Sequence, residues 1–458
     1  MTITHDIKSN RLLEVEIIDN FSDMTPPLTD KQVLVASERC LFCHDAPCID
    51  ACPTGINIPL FIRKINTGNA HGAAKEILSA NVLGGSCARV CPTETLCEQA
   101  CVRNSCEEAP VEIGRLQRYA VDHLDKDLPY PFTRDAESGK HVAIVGAGPA
   151  GLACAHQLAR NGHQVTIYEA ASKSGGLNEY GIALYKLVDD YAQKEVDFVL
   201  EIGGIEIKYQ QALGRDVYLN QLRENHDAVF IGIGMSDVNA LDIPGEECAG
   251  VEDAVAYIRD LRQENSLANL PVGRRVIVIG AGMTAIDIAV QSKKLGAESV
   301  TIVYRRAMSA MGASIHEQEL ALKNGVTFIC NAQPKQIIAD DSGVTAMEFI
   351  KTKLDEEGKL TLTNDTFSLP CDVVFKAIGQ KFSSIPLGDN PTDKPALDKR
   401  GRITVNDSYQ TTLTDVFAGG DCINGKDLVV EAVDHGNKAA LAIHKQLSSS
   451  ISPQQEQL

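Results

Sequence analysis

The sequence predicts an α/β protein in which a helical, cysteine-rich N-terminal domain precedes two strand–helix nucleotide units, the second inserted in the first. Three observations carry that prediction. Nine of the 14 cysteines fall between Cys40 and Cys106. A glycine-rich turn between an apolar strand and a helix occurs at Gly146–Gly151 and recurs at Gly280–Ala285. Two apolar segments ending in glycine, Ala228–Gly234 and Val373–Gly379, stand where the chain would leave one such unit and return to it.

The chain has 458 residues, enough for two to four domains, and its 44% apolar content with 36 glycines suits a globular α/β enzyme. A net charge of −18 argues against nucleic acid and against an anionic membrane surface, since both select basic patches. No apolar run approaches the ~20 residues of a spanning helix. The opening MTITHDIKSN holds no apolar export segment, so a reducing cytoplasm is the expected compartment.

Residues 1–36 are polar and proline-containing and read as an extended arm. The cysteine block, 37–124, follows. Inside it, Ile58 to Leu83 places Leu60, Ile62, Ile65, Ala73, Ala74, Ile77 and Leu78 at helical spacing. The cysteines run C-x2-C-x4-C-x3-C from Cys40 and C-x3-C-x5-C-x3-C-x4-C from Cys87, with prolines after Cys52 and Cys91. Four thiolates hold one [4Fe–4S] cluster, so two clusters would take eight ligands, and nine thiols are available. A disulfide framework belongs to small secreted domains. Zinc ribbons use paired C-x2-C knuckles, and only Cys40/Cys43 has that spacing.

Residues 125–139 read as a linker. His141–Val145 is then an apolar strand, GAGPAG opens a helix lasting to Arg160, and a second strand, Gln164–Tyr168, ends at Glu169. This is the Rossmann-like dinucleotide fingerprint in context. Gly146, Gly148 and Gly151 allow the tight turn and close approach to a pyrophosphate, Pro149 and Ala150 start the helix whose N-terminus favours negative charge, and Glu169 can bond a ribose hydroxyl. The pattern repeats at Arg275–Ile279, Gly280, Gly282, Thr284, Ala285 and Val300–Tyr304. Here the second strand ends in Tyr304-Arg305-Arg306, and guanidinium groups suit a 2′-phosphate. FAD is therefore expected at the first turn and NADPH, or NADH, at the second. The expected boundaries are 140–238 for the first part of the FAD domain, 239–370 for the NAD(P)H domain and 371–458 for the remainder. In that remainder VFAGGDC brings Asp421 to a strand end, where it can accept hydrogen bonds from a ribityl chain, and the helix Val430–Leu447 can aim its N-terminus at the flavin ring.

Together the segments RCLFCHDAPCIDACP, CARVCPTETLCEQAC, IGRLQRYA, GAGPAGLACA, GGLNEYGI, YRR and VFAGGDC resemble the glutamate synthase small-subunit-like flavoproteins, and within them dihydropyrimidine dehydrogenases. The resemblance covers nearly the whole chain from residue 36. It implies that Cys40, Cys43, Cys48 and Cys101 hold one cluster, and that Cys52, Cys91, Cys97 and Gln117 hold the other. Cys87, which spacing alone would select, and Cys106 become bystanders. It also implies flavin contacts at Gly176 and Leu177. Glutamate synthase small subunits have Glu where this chain has Gln117, which tilts the reading toward pyrimidine reduction. Two departures stand out: Met283 replaces an acid at the second turn, and ALYKL follows GGLNEYGI where relatives usually have Pro and Phe.

The implied activity is electron input from NAD(P)H through FAD and two [4Fe–4S] clusters. The partner would be a subunit with FMN and further clusters that reduces uracil or thymine, assembled as a heterotetramer. No side chain of this chain is assigned a catalytic proton transfer, because hydride transfer to a flavin needs none. The rival readings are a glutamate synthase small subunit, a disulfide reductase, which would need a C-x2-C beside the flavin, and a non-enzymatic redox-sensing adaptor.

Overall fold

A computed structural model describes residues 12–107, 109–124, 127–384, 387, 388, 390 and 393–449. The chain divides into two compact units. One comprises Thr25–Glu179, Asp189–Ser236 and Phe382–Leu458, and the other Met1–Met24, Tyr180–Val188 and Asp237–Lys381. No helix of the described residues is long and apolar enough to cross a membrane.

The first unit begins with the cysteine-rich helices. Asn57 caps Ile58–Asn66 by accepting from the Leu60 amide, and Asn69 caps Ala70–Ala80 by accepting from Gly72. Gly68, at φ 77°, makes the break between them. Phe61, Ile62, Ile77, Ile113 and Leu116 form their common core. A parallel five-stranded sheet follows in the order Val416–Ala418, Ala228–Ile231, His141–Val145, Gln164–Tyr168, Ile205–Lys208. The helix Pro149–Arg160 lies on it, and the long helix Val429–Ser449 packs against that helix. Gly436 permits this crossing, because a Cβ there would fall 2.2 Å from the Ala150 carbonyl oxygen.

The second unit is a parallel sheet in the order Val251–Asp253, Val373–Lys376, Arg275–Ile279, Ser299–Tyr304, Thr327–Cys330. Beside it is a three-stranded antiparallel sheet, Ala332–Asp340, Gly343–Leu354 and Leu360–Pro370. The strands of both sheets lie in sequence between Ala228–Ile231 and Val416–Ala418, so they are inserted in the first unit.

Three expectations need correction. The N-terminal arm is not extended: Glu14–Asn20 and Asp30–Glu38 are helices, the second closed by a Thr29/Gln32 capping box. Ile17 and Phe21 enter the core of the second unit, and that contact, invisible in a local pattern, orders the first helix. Residues 1–11 lie outside the described ones. The boundary expected at 371 moves to about 382, because Val373–Lys376 pairs between Val251–Asp253 and Arg275–Ile279 and is a central strand of the second sheet. Finally, Tyr180–Val188 belongs to the second unit, where Ala183 and Tyr185 are fully buried.

Candidate cofactor sites

At the first glycine turn, Gly146 has φ 98°, and a Cβ on it would stand 2.5 Å from the Gly232 carbonyl oxygen. A Cβ on Gly151 would overlap the Gly146 carbonyl oxygen at 1.9 Å. Only glycine lets the turn pass this close under its neighbours. Gly148 is the N-cap in an extended conformation, with no side-chain cap, and Pro149 is at the helix start. The first-turn amides of Ala150 and Gly151 are thus left for an anion. Gly176 packs on Gly148, where its Cβ would be 2.7 Å from the Gly148 Cα, and Leu177 beside it is exposed. Glu169 is held by two backbone bonds: Oε2 accepts from Ala147 and Oε1 from Ala171, both at 2.7 Å. Each oxygen keeps a further lone pair for a hydroxyl. Burial pushes the Asp421 carboxyl up to about 6, Asp427 adds to this and Arg402 opposes it. A cradle that a Cβ would fill and acceptors placed beyond both strands fit FAD.

The second turn repeats the plan. Gly280 has φ 142°, and its Cβ would be 2.1 Å from the Ala377 carbonyl oxygen. Gly282 is an uncapped N-cap with open space around its Cα, followed by Met283, Thr284 and the buried Ala285. Arg305 and Arg306 are exposed. Their backbone is tethered: Thr352 Oγ1 donates to the Arg305 carbonyl at 2.7 Å, and the Asn331 amide to that of Arg306 at 3.1 Å. Both guanidinium groups therefore extend from a fixed base beside the turn.

One group near this turn was not foreseen. Lys186 is buried and lies 2.7 Å from both Asp287 and Glu317, while Tyr185 donates to Asp287 at 3.2 Å. Its two carboxylates hold the ammonium well above the ordinary lysine range against the cost of burial. Asp287 sits one helical turn beyond Met283. The signal was present as a lysine within ALYKL and an acid on the apolar side of a helix, but neither names its partner.

Among the thiols, Cys40, Cys43, Cys48 and Cys101 line one hollow, walled by Leu41, Ile58, Ile62 and Ile113. Burial, then the neighbouring Cys101, Cys40 and Cys43, pushes the Cys48 thiol up to about 12. Burial and mutual repulsion disfavour thiolates in such a set, and bound iron would reverse that balance with release of protons. Among the described residues no three His, Cys, Asp or Glu converge tightly enough for one ion. Four thiols lining one apolar-walled hollow fit the donor set of a cluster.

Cys52, Cys91 and Cys97 gather as a second set. Cys91 is raised well above the usual thiol range by its hydrogen bond to Cys87 and by burial, with Cys97 and Cys52 adding. Gln117 is buried, and its Nε2 donates to the Gly84 carbonyl at 2.7 Å. That bond fixes which end of the amide is nitrogen and leaves Oε1 as the atom that can ligate. Cys87 is buried and hydrogen-bonded to Cys91, and accepts from Asn81 Nδ2 at 3.2 Å. Cys106 is exposed on Val102–Glu107. A second unforeseen residue is Glu195. Its carboxylate accepts from the Gly85 and Ser86 amides, each at 2.9 Å, and from the Ser86 hydroxyl, capping the helix Gly84–Val90 that carries Cys87 and is followed by Cys91. Burial pushes it up to about 7.

Comparison with known proteins identifies the families to which the two regions are similar. Residues 140–436 match the model of the pyridine nucleotide-disulphide oxidoreductases, and residues 17–128 match that of dihydropyrimidine dehydrogenase domain II, 4Fe-4S cluster. The NAD-dependent dihydropyrimidine dehydrogenase subunit PreT of Escherichia coli K12 is 34% identical over 94% of this chain and 98% of that protein. The glutamate synthase [NADPH] small chain of the same organism is 33% identical over 92% of each. Among solved structures, Mycobacterium tuberculosis FprA in complex with NADPH aligns at TM-score 0.57 and 18% identity, over 68% of this chain and 85% of that one. The thioredoxin reductase of T. acidophilum aligns at TM-score 0.52 and 24% identity, over 68% of this chain and 100% of that one. These two show the fold alone. The chain belongs to the pyridine nucleotide-disulphide oxidoreductase family, with a dihydropyrimidine dehydrogenase-type 4Fe–4S domain ahead of it, and is an NAD(P)H-dependent oxidoreductase using FAD and iron–sulfur.

Proposed function

We propose that this chain is the electron-input subunit of a dihydropyrimidine dehydrogenase, oxidising NAD(P)H and passing electrons to a partner subunit that reduces uracil or thymine to the 5,6-dihydro forms. Gly280, Gly282, Thr284 and Ala285 would seat the nicotinamide nucleotide, with Arg305 and Arg306 for a 2′-phosphate. Gly146, Gly148, Pro149, Ala150, Gly151, Glu169, Gly176, Leu177 and Asp421 would hold FAD. Cys40, Cys43, Cys48 and Cys101 would hold one [4Fe–4S] cluster, and Cys52, Cys91, Cys97 and Gln117 the other. The flavin, when bound, supplies the change from hydride to single electrons.

The observation that carries the pyrimidine reading is the Gln117 amide. Glu in its place would set a carboxylate oxygen 2.7 Å from the Gly84 carbonyl oxygen, a buried repulsion that the amide turns into a hydrogen bond. That bond supports an amide at position 117 rather than the carboxylate expected of glutamate synthase small subunits. Packing supports an order for the two sets. Cys52, Cys87 and Cys91 pack with Val429 and Val430, at the start of the helix that follows Asp421. The first set instead borders the surface, where Leu41 is 57% exposed and His44 is fully exposed. Electrons would enter at the second set and leave from the first, toward an FMN-bearing partner in a heterotetramer.

The test is anaerobic purification alone and with the pyrimidine-reducing subunit. About eight irons and one FAD are expected on this chain, and Cys48→Ser should lower the iron to about four. Uracil-dependent NAD(P)H oxidation should appear only with the partner. Oxidation driven by glutamine and 2-oxoglutarate with a glutamate synthase large subunit, and none by uracil, would overturn the reading.

A further inference from the structure

Asp421 lies on a turn, Gly419–Cys422, whose ends are tied by backbone bonds from Gly419 to the Ile231 carbonyl at 3.1 Å and from Ile403 to the Cys422 carbonyl at 2.9 Å. The Gly420 amide donates to Nδ1 of His435 at 3.2 Å, and the bond is buried. His435 is 7% exposed, on the helix Val429–Ser449, next to the Gly436 that rests on the Ala150 carbonyl. The imidazole is thus mounted where that helix crosses the start of the Pro149 helix. The chain closes round it. A Cβ on Gly419 would be 3.0 Å from the His435 Cβ, and one on Gly425 would be 3.1 Å from its Cε1. Gly420 itself, at φ 76°, sits against Ala150.

We propose that His435 is the positioning residue of the flavin site, fixing the Gly419–Cys422 turn, and with it Asp421, through the hydrogen bond that Nδ1 accepts from Gly420. The inference rests on the reading of the first glycine turn as the FAD site. An accepting Nδ1 puts the ring proton on Nε2, which lies 4.0 Å from Glu431 Oε2. The doubly protonated ring has no acceptor left for Gly420. Burial and Lys438 disfavour that form, Asp434 favours it, and the Tyr409 ring lies 5.1 Å away.

His435→Asn keeps an oxygen acceptor near the position of Nδ1, whereas His435→Leu keeps bulk and offers none. In the full chain, stripped of FAD and titrated with it, Leu should weaken FAD binding roughly tenfold and shift the flavin midpoint potential, and Asn should stay within about threefold of wild type. Equal FAD affinity and potential in the Leu variant would overturn the proposal. Should that variant fail to fold, hydrogen exchange on the FAD-stripped wild type decides. The Gly420 amide should exchange slowly in wild type and in His435→Asn, and exchange at the free-chain rate would overturn it. A wild-type chain that binds no FAD would instead refute the flavin reading, while the exchange result still reports on the His435 bond.

Discussion

In the first turn a side-chain carbon on Gly146 would fall 2.5 Å from the Gly232 carbonyl oxygen, and in the second Gly280 stands in the same relation to Ala377, at 2.1 Å. Each turn passes under the residue that follows a neighbouring parallel strand, Ala228–Ile231 in one unit and Val373–Lys376 in the other. The turns diverge two steps later. Gly151 has no room for a Cβ, whereas the second turn carries Ala285 at the matching place, fully buried. They diverge again at the second strand, where Glu169 is locked by two backbone amides and Arg305 and Arg306 stand exposed. Shared backbone geometry thus sets where a pyrophosphate can lie, and the residues beyond it set which nucleotide arrives.

The largest effect should come from forcing the turns to be alike. Gly151→Val places a carbon 1.9 Å from the Gly146 oxygen. Overpacking of this kind should cost about 3 kcal/mol or more, so the purified variant should contain almost no FAD. Ala285→Gly in the other turn should cost about 1 kcal/mol and leave NADPH binding intact. Full flavin content in Gly151→Val would show that the first turn opens as easily as the second. Next in size is the charge difference. Replacing Arg305 and Arg306 together by Ala removes two charge-assisted contacts and should raise the KM for NADPH about 100-fold while changing that for NADH less than about threefold. Equal changes for both nucleotides would break the assignment of these guanidinium groups to a 2′-phosphate.

What could be read from sequence was what local chemistry dictates. A glycine that must take φ above zero, a thiol run and an acid at a strand end each need a residue type at a position, so the turns, the cysteine run and Glu169 were visible, while the division of the thiols into two sets came only from the family resemblance. Val373–Lys376 reads as an apolar strand whichever sheet it joins, and only its pairing with Arg275–Ile279 assigns it to the second. Lys186 and Glu317 meet across 131 residues, and no periodicity reports such a meeting. Glu195 on the amphipathic helix Tyr191–Leu200 reads as a solvent-facing acid, yet it is fully buried against the helix that precedes Cys91 because that helix presents two unpaired amides. The residues expected to hold the clusters and the flavin follow motif chemistry; the supports beneath them follow tertiary packing.

The smallest predicted effect concerns the acid that only the first site has on a separate turn. Asp421 is raised from 3.8 to about 6, by burial first and by Asp427 second. As an acceptor for FAD it must be ionised, so affinity should be highest above pH 6 and fall as the pH drops through that value, by about tenfold at pH 5. The stability of the empty site runs the other way. A carboxyl whose folded pKa is raised favours the folded state when protonated, so the FAD-free chain gains stability as pH falls from 6 toward 3.8. Glu195, pushed up to about 7, adds to that slope. Burial keeps the His435 imidazole below its ordinary range, hence neutral across the upper part of the window. The quantity to compare is therefore the difference between wild type and Asp421→Asn in FAD affinity and in apoprotein Tm from pH 5 to 8. Opposite pH trends in wild type, both flattened in the variant by the Asp421 share, are expected. FAD affinity that falls with pH equally in both proteins would move the proton to another group and leave the two nucleotide sites distinguished by Glu169 and the arginines alone.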